Sequence, residues 1–246
     1  MDDENIYERI EGIFGHFPEN FSILEEQIDI DLQMEYFEFS KKIKENKTSV
    51  SLDNIIDNLF SNRYSAEGKK ELLARLASVE EVEAYRAIEK YVKQPGRGLK
   101  EWAILAFQES RMLLQSKLLD ESQVFISTGL GGKGSRLRYF VVLINSFETS
   151  FDELQQNIIG KEFDYYLRKY DAELEVLNFM DNYCSLLAIV PIRASIREVF
   201  REAIAECNQY GGFIRKEFIV TNVKTLTWEE IKDFVNKQED TDNFDE

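Results

Sequence analysis

The chain predicts an α+β protein, helical in its first half and mixed in its second, and three observations carry that expectation. Apolar residues recur at threes and fours as far as Leu119. Beyond Asp120 the pattern turns to short β-branched and aromatic runs separated by helical ones. Where the two patterns meet stands ISTGLGGKGSRLRYFVVLI, Ile126 to Ile144, with four glycines and three cations between two strand-like runs. The expected divisions are residues 1–121, 122–237 and an acidic disordered tail at 238–246.

In the first half, Ile6, Ile10, Ile13 and Phe14 mark a short amphipathic helix that Gly15 and Pro18 close. Leu24, Ile28, Leu32, Tyr36, Phe39 and Ile43 predict one longer helix over 21–43, with KENKTSVS as its polar exit. Ser51 is placed to cap a helix through Phe60. Glu67 to Val92 is helical with a break near Ser78, QPGRG (Gln94 to Gly98) interrupts it, and Leu99 to Leu119 follows as a strongly apolar helix.

ELLARLASVEEVEAYRAIEKYV, then PGRG, then LKEWAILAFQESRMLL resembles the HEAT and armadillo class of helical repeats, with small Ala103 and Ala106 among large apolar neighbours as in an inner repeat helix. The resemblance covers 66–119, about a fifth of the chain. It implies a surface presented to another protein, since such units stack and use their exposed faces for contact.

In the second half, QVFIST (123–128) and LRYFVVLIN (137–145) read as strands joined by the glycine-rich segment. TSFDELQQNIIGKEFDYYLRKY returns to helix, and ELEVLNFM and YCSLLAIVP form two strands around the turn Asp181-Asn182. Ser195 caps SIREVFREAIAECNQY, which Gly211-Gly212 ends. GFIRKEFIVTNV (212–223) is a further strand, and Thr227 with Glu230 has capping-box spacing at the start of a last helix. From Leu137 to Val223 the order is β-α-β-β-α-β, that of a ferredoxin-like domain, with 123–128 added as an N-terminal hairpin strand and the last helix over the open sheet face.

Composition narrows the function classes. With 43% hydrophobic residues, including 18 Phe and 11 Tyr, the chain has enough apolar mass for two cores. A formal charge of −16 repels phosphate backbones, which argues against non-specific nucleic-acid or anionic-membrane binding. The aliphatic strand YCSLLAIVP also lacks the basic and aromatic pattern of an RNA-reading sheet. MDDENIYERIEGIF has neither the basic start nor the apolar run of a signal peptide, which places the protein in the cytoplasm. Cys184 and Cys207 read as buried structural thiols. His16 is the only histidine, so a His-dependent triad or multi-histidine metal site within one chain is excluded. Asp29 and Asp31 read as a solvated acidic face, and nothing singles out a catalytic carboxylate pair. No catalytic, metal or cofactor residue is assigned.

The glycine segment is the one candidate site: Gly129, Gly131, Gly132, Lys133, Gly134, Ser135, Arg136 and Arg138. It is no P-loop, because Lys133 is followed by Gly134, Ser135 comes one position late, and a strand rather than a helix follows. Nor do its glycines fall at the dinucleotide spacing. A plain mobile hairpin, a protein-contact loop and an anion nest assisted by the three cations all stay open. The function expected is that of a non-enzymatic interaction or scaffold protein, with Trp102 or Arg97 near the repeat turn as a further contact, Trp102 reading otherwise as a core residue, and a partner protein or second copy unspecified. The alternative is a small-ligand sensor or enzyme with a pocket between the domains.

Overall fold

A computed structural model of the chain describes residues 6–18, 20–46, 50–120 and 123–242. The protein is α+β. In chain order its elements are α1 (Ile6–Phe14), β1 (Phe21–Ile23), α2 (Ile30–Glu45), α3 (Leu52–Phe60), α4 (Ala66–Ala77), α5 (Val82–Lys93) and α6 (Lys100–Leu119). There follow β2 (Val124–Ile126), β3 (Gly132–Lys133), β4 (Arg136–Ile144), α7 (Glu153–Lys169), β5 (Glu173–Met180), β6 (Tyr183–Pro191), α8 (Ile196–Asn208), β7 (Ile219–Thr221) and α9 (Trp228–Asp242).

Two compact units result. One comprises 18–24 and 28–127; the other comprises 1–17, 25–27 and 128–246. The division therefore falls at 127/128 rather than 121/122, and two N-terminal pieces group with the C-terminal half.

In the helical unit, α2 to α6 enclose a core built around Tyr36, Leu73, Leu76, Ile88, Trp102 and Leu105. The expected helix over 21–43 is two elements. Phe21–Ile23 is a strand paired in parallel with β2, Phe21 opposite Val124 and Ile23 opposite Ile126. Asp29 then starts α2 by accepting from the N–H groups of Asp31 (2.8 Å) and Leu32 (3.4 Å), so this acid is a helix cap rather than part of a solvated face. The apolar spacing of 21–32 fits a helix only by coincidence, and the cap overrides it. The same pairing corrects the reading of 123–128, which joins β1 and adds no strand to the C-terminal sheet. Ser51 stands at the start of α3, but its side chain makes no capping hydrogen bond.

The other unit is a sheet in the order β5-β6-β4, with β3 and β7 both on the far side of β4 and every pairing antiparallel. β4 is buried from Tyr139 to Ile144 because both sheet faces are covered. Alternation divides it: Phe140, Val142 and Ile144 pack with Ile231 and Val235 of α9. The aliphatic face is thus covered by the last helix. α7 and α8 pack on each other, with Phe163 and Phe200 5.9 Å apart. Ser195 caps α8 by accepting from Glu198 N–H, and the N–H of Gly212, at φ +63°, returns to Asn208 O at 3.0 Å. The strand expected over 212–223 contracts to Ile219–Thr221, with Ile214 only bridging to Asn145. α9 continues to Asp242, so 238–242 are helical where disorder was expected; 243–246 lie outside the described residues.

Candidate functional site

The glycine loop is built into its own unit. The N–H of Gly132 donates to Glu25 O at 3.3 Å, and that of Gly134 to Glu25 Oε1 at 3.1 Å. Gly131 lies at φ +67°, and a Cβ there would stand 2.5 Å from the carbonyl oxygens of both Glu25 and Glu26. Only glycine lets the segment 25–27 approach this closely. Thr128 Oγ1 donates to Gly131 O at 3.3 Å, and Leu130 joins the core under α9 while Gly129 is buried beside it. The Glu25 carboxylate therefore takes one loop N–H, that of Gly134, and its carbonyl takes another.

Its cations are committed as well. Arg138 clamps Glu175 through Nε (2.5 Å) and Nη2 (3.0 Å) and donates through Nη1 to Leu130 O at 2.7 Å. Lys133 pairs with Glu173 at 3.3 Å, and Arg136 reaches Asp171 O at 3.3 Å. Ser135 supplies only its carbonyl, to Ile192 N–H at 3.2 Å. Of the three readings that the sequence leaves open for these residues, their hydrogen bonds describe a hairpin pinned to 25–27 and β5. Of the other expected contacts, Arg97 is exposed, whereas Trp102 is buried, donates to Lys70 O at 3.2 Å and lies 4.5 Å under the Lys70 ammonium.

A buried polar cluster ties α2 to α6 in the helical unit. Glu109 accepts from the hydroxyls of Tyr36 and of Ser40 (2.7 Å to Oε1) and pairs with Lys44 at 2.6 Å. Burial, then the neighbouring Glu109 charge, pushes the Tyr36 phenol well above its ordinary value. Ser40 of α2 here donates to the carboxylate of Glu109 on α6, so the arrangement fastens two helices. Cys184 and Cys207 are buried free thiols; burial raises both, Cys207 to about 12, which keeps them protonated and unreactive. Among the described residues, no three His, Cys, Asp or Glu side chains cluster as metal ligands. No described helix is long and apolar enough to cross a membrane.

The open site is a groove of about 890 Å³ in the C-terminal unit, running along the outer edge of β7 between α8 and α9. Its size falls in the usual range for small-molecule sites, roughly 300 to 1,000 Å³. Ile204 of α8, Phe218 just before β7, Ile219 and Val220 within it, and Leu226 and Phe234 near and on α9 form its apolar lining. Phe218 is set by packing on Phe200 at 5.8 Å. Arg197 and Arg201, one turn apart on α8, line one wall, and Lys216 and Lys224 flank the strand; Glu217 is the one carboxylate among the lining residues.

Asn208 fixes the entry to this edge, its amide donating to Ile214 O (2.8 Å) and accepting from Ile214 N–H (2.9 Å). Lys224 pairs with Glu230, whose carboxyl is held below the usual carboxylate range by that lysine first and the Thr227 N–H second. Arg201 and Lys216 have no carboxylate at ion-pair distance among the described residues. Sequence reading missed this site. Its one legible trace was the Arg197/Arg201 pair at i and i+4 in SIREVFREAIAECNQY; the loop residues around Lys216 and Phe218 carry no local signal.

No protein-family model and no curated protein matches the chain. A crystal structure described as that of a "putative transposase" from Deinococcus radiodurans R1 is similar to part of it, at 17% identity and a TM-score of 0.36. That match covers 44% of this chain and 94% of the other. The expectation of a non-enzymatic interaction or scaffold protein is corrected: the comparisons give a scaffold role no support, and the loop cations that were to make the contact are occupied within their own unit.

Proposed function

We propose that the C-terminal unit is a ferredoxin-like domain that binds a small organic anion with an apolar body in the groove beside β7. The ferredoxin-like reading is supported by the order β4-α7-β5-β6-α8-β7 and by the wholly antiparallel sheet with β4 and β6 at its centre. In the helical unit, a single HEAT-like layer of α4 to α6 is supported by the burial of Ala103 and Ala106 on the innermost helix.

One observation carries the binding proposal: an apolar groove lined by four cations and one carboxylate, on a chain of formal charge −16. The mean field of such a chain repels anions, so a local reversal of sign beside apolar surface selects a ligand that is both charged and apolar. A guanidinium against a low-dielectric wall attracts an anion more strongly than the same group in open water.

8-Anilinonaphthalene-1-sulfonate, an anion with an aromatic body, is the direct probe. Saturable fluorescence enhancement at one site per chain is expected, with a raised Tm in its presence. Arg201→Glu and Lys216→Glu, both at exposed positions, should each weaken binding about tenfold, since one charge-assisted hydrogen bond is worth roughly 1.5 to 3 kcal/mol. Binding that does not saturate, or that neither substitution changes, would sink the proposal.

A further inference from the structure

We infer that the groove takes a soluble phosphomonoester of an apolar alcohol, its phosphate at the end marked by Arg197, Arg201 and Lys224 and its body extended toward Lys216. The inference rests on the groove being a ligand site, as proposed above.

Topology places the charges. β6 and β7 each run antiparallel to β4, so they point the same way, and α8, which connects them, runs back against both. The first turns of α8, with Arg197 and Arg201, therefore lie beside the C-terminal end of β7, and Lys224 follows that end by three residues. The last turn of α8, with Asn208, lies beside the start of the strand, where Lys216 has Glu217 as its neighbour. Three of the four cations thus share one end.

The donors there suit a phosphate. Arg201 offers a planar fork for bidentate contact, Arg197 adds positive charge one helical turn before it, and a lysine keeps donors beyond the one it gives Glu230. Three terminal oxygens of a phosphomonoester can use such a set; the two of a carboxylate leave part of it idle. The body of the ligand is apolar because the side chains along the middle of the groove are chiefly apolar. The Asn208 amide is engaged both ways by Ile214. A sugar or base would set polar atoms against the side chains of Ile204, Phe218 and Ile219.

Calorimetric titration of the full chain with octyl phosphate, octyl sulfate and octanoate, each below its micelle concentration, tests this. Inorganic phosphate, AMP and vesicles containing phosphatidic acid complete the set. Octyl phosphate should bind at least tenfold more tightly than octanoate, inorganic phosphate or AMP. Its affinity should rise with pH through the second phosphate ionisation, near about 6, while octyl sulfate, a monoanion throughout, stays level. Arg201→Gln should remove the preference for phosphate, and Lys216→Gln should leave it in place.

Equal affinity for octanoate, a preference that survives Arg201→Gln, or capture of vesicles without octyl phosphate would each overturn the inference. Saturable binding of the anilinonaphthalene sulfonate with no phosphate preference overturns this inference alone. Failure of every amphiphile overturns the groove as a ligand site.

Discussion

Gly131 and Gly134 share nearly the same left-handed backbone conformation, at φ +67° and +62° respectively, but differ in what surrounds them. A Cβ at 131 meets two carbonyl oxygens at 2.5 Å, and one at 134 meets nothing within 4 Å. Gly134→Ala should therefore cost only the left-handed backbone penalty of roughly 1 to 2 kcal/mol. Gly131→Ala should cost clearly more, because segment 25–27 must also move. Urea denaturation of the two variants checks the order, and equal losses would contradict the packing described. Sequence left three readings of these glycines open; Glu25, whose carboxylate accepts from the Gly134 N–H, stands 109 positions away from it in the chain. Glu109 was equally hidden, one acid among 46 until α2 sets Tyr36 and Ser40 against it.

Among the elements, α9 joins a local signal to a tertiary role. Thr227 and Glu230 form the expected reciprocal cap, with Thr227 N–H donating to Glu230 Oε2 at 2.8 Å and Glu230 N–H to Thr227 Oγ1 at 3.2 Å. Lys224, then the Thr227 N–H, lowers the Glu230 carboxyl in the folded state. A depressed acid contributes stability above its unfolded value, about 4.3, and loses it as pH falls through the lower folded value. Amide exchange at the start of α9 should accelerate as pH drops below about 4.3, once corrected for intrinsic rates, and Glu230→Gln should flatten that dependence. An unchanged profile in the variant would refute the link. β1 shows the opposite outcome: three residues are too few for periodicity to betray a strand, and its pairing with β2, about a hundred residues on, was beyond local reading.

On the scale of the whole molecule, neither unit is a continuous piece of chain. The C-terminal unit includes 1–17 and 25–27, and the helical unit includes β2. A fragment cut where the sequence suggested, 122–246, would lack the Glu25 contacts of Gly132 and Gly134 and would carry β2 without β1. It should show broader amide dispersion loss and faster proteolysis than the same residues in the full chain; a fragment as protected as the intact protein would refute this. Sequence by itself determined most helices, both long hairpin strands β5 and β6, and the caps at Ser195 and Thr227. These depend on neighbours within a few positions, where periodicity and capping act. Tertiary structure alone decided that the glycine loop is filled from within, that β2 leaves the C-terminal sheet, and that Arg197, Arg201, Lys216 and Lys224 share one groove. Such facts arise when distant segments meet, and the energies that settle them, burial and charge pairing, have no value until both partners are in place.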